Sequence, residues 1–226
     1  LEDSRRLKIE LTTLRDYRSI LRAHLIPAFG HLPLSQLTQD RVQMFYAEKL
    51  DAGYAPGTIG NIHDLLSSAL KDAVASEVLA RNVCDFVALP KQKHREPYVL
   101  TVDQCKLLVN AARGRRLWFM ILVALTTGAR VGELLALHWS DIDVNNLRIH
   151  IRKSLAWIKG KGHVEKEPKT KSGIRSVILA QAVVDAIVEQ QQYIENVRTK
   201  ASKWVELDLV FPNRYGAHIR NRTVLD

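Results

Sequence analysis

The hydrophobic period changes once along this chain of 226 residues, and that change restricts the fold more than any other feature. In the first part, apolar residues recur every three or four positions, the spacing of helices buried on one face. Leu7, Leu11, Leu14, Leu21 and Leu25 keep that spacing, broken only at Arg18. An amphipathic helix is therefore expected, stopping at Ile26-Pro27 with a turn at Phe29-Gly30. Thr38 is a suitable N-cap for a second helix carrying Val42, Phe45 or Tyr46, and Lys49-Leu50 and closed by Asp51-Ala52-Gly53. Pro56-Gly57-Thr58 opens a third, with Ile59, Ile62, Leu65, Leu66, Ala69, Leu70, Ala73 and Val74 on one side. A shorter helix is expected over Ser76 to Ala80.

Residues 90–97, Pro-Lys-Gln-Lys-His-Arg-Glu-Pro, are polar, basic and closed by prolines, the composition of a linker. Beyond them Thr101 and Gln104 have capping-box spacing. Arg116 to Leu125 is apolar on most sides and reads as a buried central helix broken by Gly128. Val131 to Leu137 is a short helical piece. The period then falls to two. Leu147, Ile149 and Ile151 alternate with Arg148, His150 and Arg152, and Ile174, Ser176 and Ile178 with Arg175, Val177 and Leu179. These are two strands of a basic β-hairpin with a long Gly/Lys-rich connection. Ala180 to Ala201 returns to helix with Val183, Val184, Ile187, Ile194 and Val197 inward, and Leu207 to Pro212 is extended, ending in the turn Asn213 to Gly216. The fold class is mainly α with a small β-sheet, an α+β chain.

Charge follows the same division. The formal net charge is +9, yet residues 1–97 are almost neutral. The segment 148–175 holds nine basic residues, Arg148, Arg152, Lys153, Lys159, Lys161, Lys166, Lys169, Lys171 and Arg175, against Glu165 and Glu167. By charge alone this is either a solvated loop or a surface that faces phosphates. The apolar run Leu117–Leu125 is too short for a membrane span, and the first residues, Leu-Glu-Asp-Ser-Arg-Arg, form no signal segment. A cytoplasmic location and no membrane partner are expected. Lacking an initiator Met, the chain is expected to be an excerpt of something longer. Cys84 and Cys105 are too few for a disulfide framework, and the eight histidines have no ligand spacing, so no metal is expected.

One segment carries chemistry, Thr126 to Asp143. Gly128 permits a tight turn, and Arg130 then sits at the start of the next helix, whose Leu134, Leu135 and Leu137 are buried. A guanidinium fixed there presents a planar fork suited to a phosphate, and the helix start favours an anion. Glu133, three residues on, either orients that guanidinium or caps the helix. A purely structural Arg130–Glu133 ion pair explains the spacing equally well.

The stretch 126–143 resembles the first-arginine box of the tyrosine recombinases of the phage-integrase type. It matches Thr-Gly-x-Arg-x-x-Glu-Leu followed by Leu-x-Trp-x-Asp-Ile at every position. The resemblance continues in Glu167 to Arg175, with Lys-Thr-Lys-Ser ahead of a strand, and in Leu209 to Gly216. It includes Tyr17 to Leu21, Leu25 to Gly30 and Leu37-Thr38, which are similar to the family's helical core-binding domain, so about residues 12–226 are covered. The implied organisation is a SAM-like, helical DNA-binding domain over 1–89, the basic linker 90–97, and the N-terminal part of an integrase-type catalytic domain over 98–226.

The resemblance implies strand cutting by a tyrosine nucleophile through a 3′-phosphotyrosyl intermediate, which conserves the bond energy and needs no cofactor. Arg130 matches the first phosphate-binding arginine, Glu133 the acidic residue that supports it, and Lys169 the lysine that protonates the departing 5′-oxygen, with Lys171 in reserve. Lys171, Arg175, Arg152, Lys153, Lys159 and Lys161 are the implied DNA contacts. Double-stranded DNA is the implied partner, with self-association to a tetramer on DNA as in the intact family. The family's second box, His-x-x-Arg, and the nucleophile are not found. His218-Ile219-Arg220 has the wrong spacing, and none of the six tyrosines follows the required motifs. The chain is therefore expected to bind DNA without cleaving it. The alternatives are a non-catalytic DNA-binding regulator or degenerate integrase remnant and, more remotely, a protein-interaction domain.

Overall fold

The computed structural model describes residues 10–92, 96–158, 160–168, 173–220 and 224. It divides into two compact units, 1–97 and 98–226.

The first unit is helical. Helix α1 (Leu11–Ile20) passes through a π-turn (Leu21–Leu25) into α2 (Ile26–Phe29). Pro27 does not stop the helix as its sequence position implies. A proline ring clashes with the carbonyl four residues back and cannot donate to it. The π-turn, in which the Ile26 N–H donates to the Leu21 carbonyl five residues earlier, widens the helix one residue before the proline. The chain then turns at Gly30 as expected. Thr38 caps α3 (Gln39–Asp51), its side chain accepting from the Arg41 N–H. Helix α4 (Pro56–Ala75) begins on its proline. Val42, Phe45 and Tyr46 of α3 meet Ile59, Ile62, Leu65, Leu66 and Leu70 of α4 in one core, with Leu25, Leu37 and Cys84. Burial pushes the Cys84 thiol up to about 11, so it stays protonated and apolar. Cys105, by contrast, is only half-buried.

The helix expected over Ser76 to Ala80 does not form. Helix α4 ends in a Schellman closure, with the Glu77 N–H on Val74 O and the Val78 N–H on Ala73 O, at 3.0 and 2.9 Å. That closure holds Glu77 at φ +60°, which a helix cannot continue. A 3-10 turn over Val83–Phe86 follows instead, capped by buried Asn82, whose amide also reaches Ser67 and Asp85.

In the second unit the Thr101–Gln104 capping box opens α5 (Val102–Ala112). The apolar run becomes α6 (Trp118–Thr127), with Trp118, Phe119, Met120, Leu122 and Val123 buried. Gly128 takes φ +63°, the left-handed cap that lets the chain reverse direction. Helix α7 (Val131–Leu135) follows. Strands β1 (Ile142–Asp143), β2 (Arg148–Ile151) and β5 (Arg175–Ile178) form an antiparallel sheet in the order β1-β2-β5. Ile149 and Ile151 are buried, as the alternation predicts, whereas Leu147 lies just before the strand at φ +52° and is exposed. Helix α8 (Gln181–Thr199) covers that core with Val183, Ala186 and Ile187, while Ile194 and Val197 are only half-buried.

The connection between β2 and β5 is not a plain loop. It folds into a separate hairpin, β3 (Ser154–Ile158) with β4 (Gly162–Lys166), turning through Gly160 and Gly162 at φ +84° and +76°. Ser-Leu-Ala-Trp-Ile shows no alternation, so its period conceals a strand.

Helix α7 packs against β3 through Gly132, because a Cβ there would lie 2.6 Å from Ser154 Oγ and 3.3 Å from the Leu155 carbonyl oxygen. Alanine gains helix propensity of about 0.5–1 kcal/mol over glycine, but this close approach outweighs it. Gly132→Ala is expected to destabilise the unit by about 1–2 kcal/mol in urea unfolding. Adding Ser154→Ala should recover about half of the loss. A neutral or stabilising Gly132→Ala would mean that α7 and β3 are not held this close.

Candidate functional site

Arg130 is the N-cap of α7, in extended conformation just after the left-handed Gly128. The helix start places Glu133 one turn on, pointing back. Among the described residues, four donors reach Glu133. Its Oε2 accepts from the Arg130 N–H at 2.9 Å and from Arg175 Nη2 at 2.8 Å. Its Oε1 accepts from Arg130 Nη1 and Arg175 Nη1, both at 3.1 Å. The Glu133 side chain is 4% exposed, that of Arg175 29% and that of Arg130 80%. Glu133 therefore both caps the helix and holds the guanidinium, so the two roles open in the sequence are filled together. Burial pushes its carboxyl up, but the hydrogen bonds from Arg175 and Arg130 more than offset this and leave it below the usual range.

Arg175 comes from the first position of β5, paired with Ile151 of β2. Both of its terminal nitrogens are engaged by Glu133, a bidentate arrangement. Sequence reading placed Arg175 among the DNA contacts. The structure places it beside Arg130, with its fork turned to the carboxylate.

A second carboxylate, Glu165 on β4, was not singled out from sequence. Its Oε1 lies 2.8 Å from His138 Nε2 and 3.4 Å from His218 Nε2, and its Oε2 accepts from Lys153 Nζ at 2.8 Å. The Leu135 carbonyl lies 3.3 Å from His218 Nδ1. His218, whose spacing does not fit the second catalytic box, thus sits between α7 and the β3–β4 hairpin. No single-sequence signal finds this cluster, since its members lie far apart in the chain. Burial pushes Glu165 up, but Lys153 and His138 together hold it below the usual range.

Of the other expected DNA contacts, Arg152 stands 3.6 Å from Asp141 and Lys153 is engaged by Glu165, while Lys161 is exposed at the β3–β4 turn. Lys159, Lys169 and Lys171 lie outside the described residues. Among the described residues no group of three or more His, Cys, Asp or Glu could hold a metal, and no helix is long and apolar enough to cross a membrane. The side-chain donors of Arg130 other than Nη1 meet no partner among the described residues. An exposed guanidinium, anchored at one corner and with no other side-chain partner among the described residues, is suited to receive an oxyanion.

Both glutamates titrate lower in the folded chain than in the unfolded one. Their contribution is therefore complete above the ordinary value of about 4.5 and is lost as pH falls through the lower folded values. Urea midpoints should hold between pH 7 and 5 and fall below about 4.5. Glu133→Gln should cost about 1–3 kcal/mol at pH 7 by leaving Arg175 without its carboxylate, and should flatten the acid limb. An unchanged acid limb in both Glu133→Gln and Glu165→Gln would show that neither carboxylate is held as described.

Residues 98–226 match the model of the phage integrase family, and residues 1–50 that of the phage integrase N-terminal SAM-like domain. The ICEBs1 integrase of Bacillus subtilis is 30% identical over 165 residues, 72% of this chain and 45% of that protein. A tyrosine recombinase XerC-like protein of Caldanaerobacter subterraneus is 27% identical over 203 residues, 82% of this chain and 52% of its own length. The chain thus spans about half the length of these relatives. In fold it is similar to the Tn1549 transposon integrase in complex with a circular intermediate DNA, with a TM-score of 0.82 at 22% identity over 96% of this chain and 70% of that one. A lambda integrase dimer bound to a COC′ core site gives 0.66 at 19% identity over 96% and 55%. The α+β fold is that of the integrases, and the box around Arg130 and Glu133 lies within the matched region: the chain belongs to the phage integrase family.

Proposed function

We propose that this chain is the DNA-binding part of a site-specific tyrosine recombinase, with residues 1–89 and 98–226 as two DNA-facing domains joined by the linker 90–97. The observation that carries the reading is the exposed Arg130 guanidinium, held by buried Glu133 inside Thr-Gly-Ala-Arg-Val-Gly-Glu-Leu. The solved relatives in complex with DNA support a duplex as the partner, and the lambda integrase tetramer bound to a Holliday junction supports self-association on DNA. The setting is the cytoplasm, and the reaction that of a mobile element.

In the reaction a tyrosine oxygen attacks the scissile phosphorus, a 3′-phosphotyrosyl ester forms, and the 5′-oxygen leaves. Negative charge grows on the non-bridging oxygens, and Arg130 opposes it. Glu133 fixes Arg130 before the substrate arrives, so little reorganisation is left to the transition state. Lys169, or Lys171 in reserve, donates the proton that the 5′-oxygen needs. Rejoining reverses these steps on a second strand, and the energy of the phosphodiester is retained in the ester. Arg152, Lys153, Lys159, Lys161 and Lys171 supply positive charge along the duplex, and Arg175, joined to Glu133, adds to the positive charge of the Arg130 site. The 226 residues by themselves bind DNA and do not cut it, because the second box and the nucleophile are not among them.

Anisotropy with a labelled duplex should show binding that weakens roughly 100-fold between about 50 and 200 mM salt, as about four phosphate contacts require. A nicked suicide duplex should yield no covalent adduct with the 226-residue chain. Salt-independent affinity would remove the DNA-binding reading, and an adduct would remove the non-cleaving one. In a recombinase chain that includes the nucleophile, Arg130→Ala should lower cleavage by about 10²–10³.

A further inference from the structure

We infer that Arg175 is a positioning residue: by occupying both oxygens of Glu133 it prevents that carboxylate from sequestering the Arg130 fork, and so keeps Arg130 open to a phosphate. The inference rests on the proposed meeting of Arg130 with DNA. It assigns to Arg175 a role other than the direct backbone contact that its charge implied.

Four donors among the described residues surround Glu133. Arg175 takes one place on each oxygen, at 3.1 and 2.8 Å. The Arg130 backbone N–H takes a third, and Arg130 Nη1 is left the fourth. A carboxylate has about four lone-pair sites, so the set is full. Arginine and carboxylate prefer the two-pronged arrangement when both oxygens are free. Arg130 and Glu133 stand three residues apart at the start of α7, and a single prong already joins them. Without Arg175 the Arg130 guanidinium gains a second prong and folds down onto Glu133. The site would then be a neutral pair, its donors turned inward. With Arg175 present, two guanidinium groups share one carboxylate and a net positive charge remains on the exposed member.

The placement of Arg175 fits this role. It is fixed at the first residue of β5 by pairing with Ile151, itself buried. Its terminal nitrogens are committed to Glu133, whereas Arg130 is exposed with one nitrogen engaged. Arg175 also begins the strand that follows Lys169 and Lys171 in sequence, so one ion pair bears both on the start of that strand and on the freedom of Arg130.

The test uses the 226-residue chain and duplex DNA, with Arg130→Gln, Arg175→Gln, Arg175→Lys, Glu133→Gln and the double variant Glu133→Gln/Arg175→Gln, each checked for folding by thermal melting. Arg130→Gln should weaken binding about tenfold. Arg175→Gln should weaken it to a similar extent, and Arg175→Lys less. The double variant should recover affinity to within about threefold of the parent, because no carboxylate then captures Arg130. The Arg130 Nε–Hε signal in 15N NMR should shift on adding DNA in the parent and in the double variant, and stay fixed in Arg175→Gln. A direct phosphate contact by Arg175 would instead give no recovery in the double variant and leave the Arg130 Nε–Hε signal shifting on DNA in Arg175→Gln, and would overturn the inference. So would an Arg175→Gln chain that melts early yet binds and shifts normally. If the parent chain binds no DNA, or Arg130→Gln is without effect, the proposed function fails first and the inference falls with it.

Discussion

A carboxylate taken out of water must be matched by donors, or its burial costs several kcal/mol. Glu133 meets that demand with a backbone N–H and two guanidinium groups, and the local structure is arranged around it. The left-handed turn at Gly128 brings the chain to the α7 start in the right direction. Gly132 lets that short helix lie against β3. Strand β5 is registered on β2 so that its first residue reaches back to the same carboxylate. Moving any of these leaves a charge buried without its partners.

Glu165 performs a related task on β4. It gathers Lys153, from just before β3, and two histidines from segments far away in the chain. The two glutamates flank the stretch that contains Lys-Thr-Lys-Ser, Glu165 before it and, through Arg175, Glu133 after it. Each end of that stretch is thus tied to α7 or to the residues just beyond it. The hairpin therefore owes its place to a buried acid, Glu133, and a half-buried one, Glu165, as well as to strand pairing.

The local features were legible because they depend on neighbours in sequence. Thr38 and Thr101 cap their helices through residues three positions on, and Ile149 and Ile151 face inward because strands alternate. Pro27 misled because its usual effect assumes an unbroken α-helix, and the π-turn lies outside that assumption. The β3–β4 hairpin was missed because its first strand is apolar on both faces. The acidic partners were missed for another reason. Arg175 and Glu133 are 42 residues apart, and Lys153 and Glu165 are 12 apart. A charge count sees nine cations in one segment and cannot see which of them are already answered.

That last point changes what the positive segment means. Read as a sum, it is a uniform attraction for a polyanion. Read with its partners, Lys153 and Arg175 are engaged by carboxylates and Arg152 stands near one. An engaged cation gives less to a phosphate, since it must leave one anion to meet another. An exposed and anchored cation such as Arg130 gives more, because its orientation has been settled during folding. Among the described residues the cations open to a polyanion are therefore fewer than the composition suggests, and Arg130 is exposed yet anchored by a buried acid.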